Sequence, residues 1–506
     1  MTDQTMAYNK QMIKLNEEKQ RRLKEKNERL NIDEVSPVKD KVIIMTIALL
    51  LGVCFDTFLI GQYWGISVGI IALIFISGVH FSVKEKHFNG MSYLFLGAIL
   101  LLSGTFAIYN NFTLRFLNVL LLPIVFTAYT LSIRYPDWKY MNVTYLLKIG
   151  GKMYPKSIGT IPKLFAFIHG FIKEKPRKEM SDSTKHVLGG LIVGIPILAI
   201  TIVLLSSADA VFSNYLSELT DFIELPRLDK FIEHLIPITF VTLYAFGYLW
   251  SNQYDDLKYQ KEVHVKKMVE PLTMVTIMGL LVLVYIAFTA IQFSYLYIGM
   301  GHLPNGLTYA EYARKGFFEL IFVTVMNMSI VLFGVLVTKN ENVKLDQLLK
   351  SVYTIMIVFT FNLLVSSFYR MSLYEKAYGY TELRLFVQFF IVFLAISIIS
   401  LMVWIWKREI PLFKVGVVTA IAVYLVLNFI NVDKIIASKN FEHYVLTGHL
   451  DRSYITTLSA DAYEVIEREK ELLGQENYNN YVYYNKISSE TNNWYEYNYF
   501  KSLMKE

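Results

Sequence analysis

Residues 308–337 read TYAEYARKGFFELIFVTVMNMSIVLFGVLV. From Ile321 to Val337 the run is apolar and carries no charged side chain, whereas Glu311, Arg314, Lys315 and Glu319 crowd the thirteen residues before it. A helix rises about 1.5 Å per residue, so such a run covers most of the ~30 Å of hydrocarbon in a bilayer. Runs of the same kind recur, among them GGLIVGIPILAITIVLL (189–205) and KVGVVTAIAVYLVLNFI (414–430). Across the 506 residues, 54% are hydrophobic and only 18% charged, with a mean hydropathy of +0.38. Run length separates a greasy globular chain from a membrane protein, and here it predicts an all-α, polytopic transmembrane helical bundle.

Eleven spans are expected, at 41–60, 63–81, 91–109, 112–133, 186–206, 231–250, 271–298, 316–337, 350–369, 383–406 and 412–431. An odd number places the termini on opposite sides. With the N-terminus inside, the inner loops hold 23 lysines and arginines and the outer ends and loops hold 8. The excess of basic residues on the cytoplasmic side therefore predicts an N-in, C-out topology. No cleavable signal precedes the first span, because the N-terminal 40 residues are charged and hold no short apolar core.

The chain then divides into a charged cytoplasmic arm (1–40), a four-helix membrane region (41–133), a basic cytoplasmic loop (134–185), a seven-helix membrane region (186–431) and a small helical extracytoplasmic segment (432–506). The arm carries helix-type ion pairs such as Glu17 with Arg21. Within the basic loop, KLFAFIHGFIKEKPRK (163–178) mixes Phe, Ile and Lys in the manner of a helix lying at anionic headgroups. The C-terminal segment begins as an amphipathic helix, turns at Thr447-Gly448 and resumes. Cys54 is the only cysteine, so no intrachain disulfide forms. A net charge of +6 fits loop lysines facing anionic lipid and gives no reason to expect a nucleic-acid partner.

Polar residues collect at the outer ends of the expected spans. Asp56, Arg115, Asp209, Glu233, His234, Glu319, Arg370 and Arg384 all map there, while the midplane holds neutral groups such as Asn118, Asn327 and Asn362. Intramembrane charge is expensive, and ion-coupled carriers commonly place carboxylates near the midplane, so this pattern weighs against such a carrier. The asparagines read as interhelical hydrogen-bond partners, and Gly65-xxx-Gly69 reads as close helix packing. In the opening stretch, Thr308 and Glu311 form a capping box, and Tyr309 and Tyr312 suit the aromatic belt at headgroup level. Two more polar clusters are expected at the same depth, SSADAVFSNYL after the fifth span and YRMSLYEKAYGYTELRLFVQ between the ninth and tenth, the latter with Thr381 as a cap. Asp209, Tyr309, Tyr312, Arg314, Arg370, Tyr374, Arg384 and Gln388 are the candidate ligand- or partner-binding residues. Arginine forks paired with carboxylates such as Glu375 supply the recognition chemistry.

Four pieces, LLSSADAVF (204–212), TYAEYARKGFFEL (308–320), RMSLYEKAYGYTELRLF (370–386) and NVDKIIASKNFEHYVLTGHLDRSYITTLSADA (431–462), resemble a bacterial membrane-protein family named domain of unknown function 4173, which is related to domain of unknown function 4153. The resemblance spans roughly residues 187–500 and implies a multi-pass envelope protein with no assigned reaction.

Two function classes follow from the residues. The first is a protein without enzymatic activity that binds a ligand or an envelope protein partner at its outer face. The second is an enzyme acting on lipid-linked or headgroup substrates at the outer leaflet, with Asp56 and Asp209 as its acids. Transport is a third reading. No metal-ligand spacing, nucleotide-phosphate loop or nucleophile motif appears, so neither a metal nor another cofactor is expected.

The topology is directly checkable. In a Cys54→Ala background, a cysteine at Ser453 is expected to label from outside intact cells and one at Ser181 to stay unlabelled; the reverse pattern would invert the orientation.

Overall fold

The computed structural model describes residues 38–134, 144–165, 228–253, 267–292, 317–339, 342–487 and 493–504, with isolated positions between 167 and 215. Its long helices are α1 (Val38–Leu59), α2 (Ile66–Ser82), α3 (Gly90–Ile108), α4 (Phe112–Arg134), α5 (Thr144–Gly151), α6 (Leu228–Trp250), α7 (Pro271–Gln292), α8 (Phe317–Val337), α9 (Val343–Tyr378), α10 (Glu382–Trp406), α11 (Leu412–Phe429), α12 (Val432–Thr447) and α13 (Gln475–Ile487). Short helical pieces join them, and no strand occurs among the described residues. Among the described residues, eight helices are long and apolar enough to cross a bilayer: α1, α3, α4 and α7 to α11. The helix α2 is apolar but only 17 residues long, and α6 opens on the charged LDKFIEH. Ten of the eleven expected spans thus coincide with described helices. The one at 186–206 lies outside the described residues apart from isolated positions, as do the N-terminal arm, most of 163–178, and the Thr308–Glu311 capping box.

The helix α9 is longer than the expected 350–369. It starts where the Asn342 side chain accepts the Lys344 amide, and it ends where Gly379, at φ 76°, donates its amide back to the Glu375 carbonyl at 2.8 Å. Thirty-six residues span about 54 Å against ~30 Å of hydrocarbon, so the ends of α9 run beyond the apolar slab. Polar ends flanking an apolar middle are legible in VKLDQLLK and RMSLYEKAY, but a window tuned to span length trims them.

The described residues fall into two compact units. The first holds the described parts of Met1–Ser92, Phe126–Pro136 and Leu147–Gln260; the second holds those of Tyr93–Val125, Asp137–Leu146 and Lys261–Glu506. In the first, α1 packs along α6 at Gly52, where a Cβ would run into Thr242 and meet the Ile238 carbonyl oxygen at 2.6 Å. A second close approach seats Gly247 of α6 against the Ser157 carbonyl. Lys152 is buried beside it, donating from Nζ to the Tyr248 carbonyl at 2.8 Å and to Ser251 Oγ, with the Tyr248 ring 4.5 Å away. Of the two glycines expected to pack closely, Gly65 is buried and Gly69 makes no close approach among the described residues. Gly65 precedes the helix as its N-cap, and a Cβ on Gly69 would meet nothing within 4 Å. Spacing alone does not say which face of a helix is covered.

In the second unit, α7, α8, α9 and α10 share a core of Met278, Val331, Met356, Ile357, Ile398 and their neighbours. Asn327 joins three of these helices, accepting from Tyr285 Oη at 2.8 Å and donating to Thr360 Oγ1 at 3.2 Å. Asn118 does the same elsewhere in the unit, donating to Asn428 Oδ1 at 2.7 Å and accepting from Tyr424 Oη at 2.6 Å. Both asparagines are the interhelical partners the sequence predicted. Asn362 departs from that reading, because its Nδ2 is buried with no partner.

The close approach at Gly52 carries a stability consequence. Gly52→Val is expected to destabilise the α1–α6 pair by about 1–3 kcal/mol through overpacking, while Gly69→Ala stays neutral. Thermal unfolding of the two purified variants in detergent compares them.

Candidate functional site

The described residues from Asn431 onward form a small helical module whose core of Ile436, Phe441, Ile455, Ile466, Leu473 and Tyr481 is continuous with Leu114 of α4, Leu385 of α10 and Leu427 of α11. Asn431, at φ 51°, starts α12 by accepting the Lys434 amide at 3.0 Å, and Gly448, at φ 73°, ends it. Only glycine takes such a φ without cost, which is why the turn at Thr447-Gly448 was readable.

The module grips two turns of the membrane helices. At the α3–α4 turn, both Asp461 carboxylate oxygens accept backbone amides, Asn110 at 2.6 Å and Asn111 at 3.0 Å, where the start of α4 leaves donors unsatisfied. Asn498 donates from Nδ2 to the Phe106 and Tyr109 carbonyls at 2.9 and 3.0 Å, closing the end of α3. Asn111 in turn donates to Asp433 Oδ1 at 2.9 Å and to Glu382, while Asp433 Oδ2 accepts the Ser459 amide and hydroxyl. Thr113 completes the group by donating to Glu382 Oε2 at 2.8 Å.

At the α9–α10 turn, Asn440 of α12 pairs with Tyr380 in both directions, accepting its amide at 2.9 Å and donating to its carbonyl at 2.8 Å. His443 Nε2 lies 2.9 Å from the Lys376 carbonyl. Gly379 passes so close that a Cβ there would strike Asn440. Thr381, expected to cap α10, makes no side-chain cap; the Glu382 amide is instead met by Tyr454 Oη at 2.9 Å. A residue of the module has displaced the local cap.

Just inside this corner lie four of the predicted site residues. Arg384 sets its guanidinium 4.1 Å from the Tyr374 ring centroid and donates to the Gly379 and Tyr378 carbonyls. Gln388, one turn further along α10, donates to Glu375 Oε2 at 2.5 Å. Arg370 is buried on α9, one turn before Tyr374. Glu375 is only 2% exposed, and its Oε1 has no hydrogen-bond partner. The polar lining continues along α9 and α7. Gln292 donates to Ser366 at 2.9 Å, yet Gln292 Oε1 and Ser367 Oγ are also buried without partners. Buried polar atoms are nearly always satisfied, so this group of vacant acceptors and donors within one helix cluster is unusual.

The other predicted residues are placed differently. Tyr309, Tyr312 and Arg314 lie outside the described residues. Asp209 belongs to the first unit, whereas Arg370 and Arg384 belong to the second. It is exposed, and its carboxylate accepts the Val211 and Phe212 amides at 2.8 and 3.2 Å, which is a turn-capping role. Asp56 of α1 is buried and pairs with His234 of α6 at 2.9 Å, and its second oxygen has no partner.

Sequence reading missed Asp433, Asp461 and Asn111. Their signal was local, since Asn110-Asn111 stands between two apolar runs and Asp461 sits in a short polar SADA.

These observations define a polytopic α-helical membrane protein with a helical module docked on its second unit. The sequence profile of the family described as Domain of unknown function (DUF4153) matches residues 96–469, and the chain belongs to that family. The matched stretch takes in α9, α10 and the module through Asp433 and Asp461, and stops before α13. No curated protein and no solved structure matches the chain.

Burial raises the carboxyl of Asp433 to about 6 and that of Asp461 to about 7, each helped by the charge of a neighbouring carboxylate and opposed by the donors that face it. Because both values lie above the ordinary 3.8, the folded module binds protons that the released chain does not. Docking is therefore expected to be tightest at acid pH and to weaken as pH rises through 6 to 7. Hydrogen exchange of residues 432–487 across pH 5 to 8, corrected for intrinsic exchange, measures this. Asp461→Ala is expected to cost about 1–3 kcal/mol by orphaning two buried amides, and to speed proteolysis of the module.

Proposed function

We propose that the protein binds a polar or anionic ligand, or the polar group of an envelope partner, in the cluster where α9 and α10 meet. One observation carries this reading: Glu375 is buried with a free carboxylate oxygen beside Gln388 and within the field of Arg384. A buried carboxylate left half-paired costs several kcal/mol, and a ligand that donates to it would recover part of that cost. Two turns earlier on α9 the Ser367 hydroxyl, and on α7 the Gln292 Oε1, are likewise buried without partners, so this stretch offers a donor and acceptors. With the N-in topology of the basic-residue count, the cluster faces the outside of a bacterial cell membrane. The order of the four sequence pieces further supports placing the chain with domain of unknown function 4173.

The enzymatic alternative draws on the Asp56–His234 pair, a buried carboxylate orienting an exposed imidazole. The two readings separate by mutation. A deletion strain is complemented by each variant at matched membrane abundance, and its growth or envelope phenotype is scored. Binding at the α9–α10 cluster predicts that Arg384→Lys and Glu375→Gln impair function, because they remove a planar fork and a charged acceptor, while Asp56→Asn has a graded effect. If Asp56→Asn and Asp209→Asn are null and Arg384→Lys is silent, the catalytic reading replaces this one.

A further inference from the structure

The second unit also contains a cavity of about 570 Å³, bordered by α3, α4, α10 and α11 and not lined by the residues of the α9–α10 cluster. Ala98, Leu121, Phe386, Phe393, Ala420 and Tyr424 are among the residues that line it. Every lining residue is aliphatic or aromatic, and the single hydroxyl on its wall, Tyr424 Oη, already donates to Asn118. On α10 the lining runs from Phe386 to Phe393 and on α4 from Leu117 to Val125, about 10–12 Å along each helix. Leu120 and Ile124 of α4 and Phe390 of α10 line the cavity and are also exposed, Leu120 by 54%, so it opens sideways from the helices. All four helices are among those long enough to cross a bilayer, so the opening faces hydrocarbon.

We infer that this cavity seats one acyl chain of a membrane phospholipid. A hydrocarbon chain is the chemistry the wall accepts, since nothing in it offers a polar partner. The end toward the α3–α4 turn is closed to a headgroup: one helical turn beyond Leu117 and Phe386, Thr113 and Glu382 bridge α4 to α10, and Asn111 holds Glu382 from above. That bridge is acidic. Arg115 turns its guanidinium to the Phe106 ring and to the Tyr109 and Asn110 oxygens, and Arg384 turns to Tyr374. An acidic bridge attracts the phosphate of neither a polyprenyl lipid nor a phospholipid, so the head stays outside and only a chain enters from the side; phospholipid chains surround that opening at high concentration and fill it by mass action. A helix from a second copy, 10–12 Å across, exceeds the space.

The full-length protein in nanodiscs of phosphatidylethanolamine and phosphatidylglycerol, doped with a phospholipid carrying a mid-chain diazirine, is irradiated and its peptides are mapped. The expected result is several-fold more labelling on 117–125, 386–393 and 420–427 than on the exposed lipid face of α7 at Leu280, Leu283 and Val284. Ala420→Trp and Leu425→Phe, which narrow the cavity, are expected to remove that excess and leave α7 labelling unchanged, which also reports that the variants fold. Labelling no greater than on α7, an excess that persists in both narrowed variants, loss of the excess on dimer formation, or a co-purifying polyprenyl lipid in place of phospholipid would each overturn the inference.

Discussion

The second unit depends on how the ends of α3 and α4 are satisfied. Where two membrane helices meet in a turn of three residues, several backbone carbonyls and amides point out of the bundle with no intrahelical partner. Water or headgroups could meet them. Here Asn498 takes the carbonyls of Phe106 and Tyr109, and Asp461 takes the amides of Asn110 and Asn111. The helix ends and the module thus complete one another. Asp461 is 1% exposed and Asp433 2%, so these groups lie in a dry seam and the bonds they make are not in competition with solvent. The same dryness raises both carboxyls, which makes the seam the part of the structure most sensitive to proton concentration.

That seam reaches the candidate site through α12. One side of α12 carries Asp433 toward Asn111, and two turns on, Asn440 pairs with Tyr380. The α9–α10 corner is consequently fixed from outside by the module, and Gly379 is required there both for its φ of 76° and for the space Asn440 occupies. Arg384 is locked by the carbonyls of that same corner. A shift of the module would move the carbonyls that hold Arg384, and with them the charge that Glu375 feels. The geometry of the α9–α10 corner and the docking of the module are in this way mechanically joined.

Much of this was legible from the residues. Apolar run length found ten of the described long helices because the bilayer imposes a length that sequence shows directly. Asn118 and Asn327 were recognisable as interhelical partners because an amide at membrane depth must find one. Arg370, Tyr374, Arg384 and Gln388 flank a single turn, so for these four proximity in sequence stood for proximity in space. Gly69 misled for the opposite reason: the motif states that an approach is possible, and only the packing, as at Gly52 and Gly247, shows where approaches occur. Asp433, Asp461 and Asn111 were missed because they are separated by up to 350 positions, and no local rule joins an aspartate in a polar loop to the start of a helix so far away.

The vacant atoms around Glu375 are the remaining tension in the fold. A chain optimised only for stability would replace Glu375 by Gln or Leu, since an apolar side chain of similar size removes a desolvated charge at little loss. The helix already offers the means, because Met371 occupies the same face one turn earlier and packs in the core. In the fold as it stands, Gln388 donates to one oxygen of that carboxylate, the other is buried without a partner, and Arg384 is the cation whose charge acts on it. Under the binding role proposed above, a solute bringing the complementary donor would recover part of that cost. The apolar cavity in the same unit shows the contrast: where no polar recognition is needed, the helices leave no polar atom unpaired on its wall.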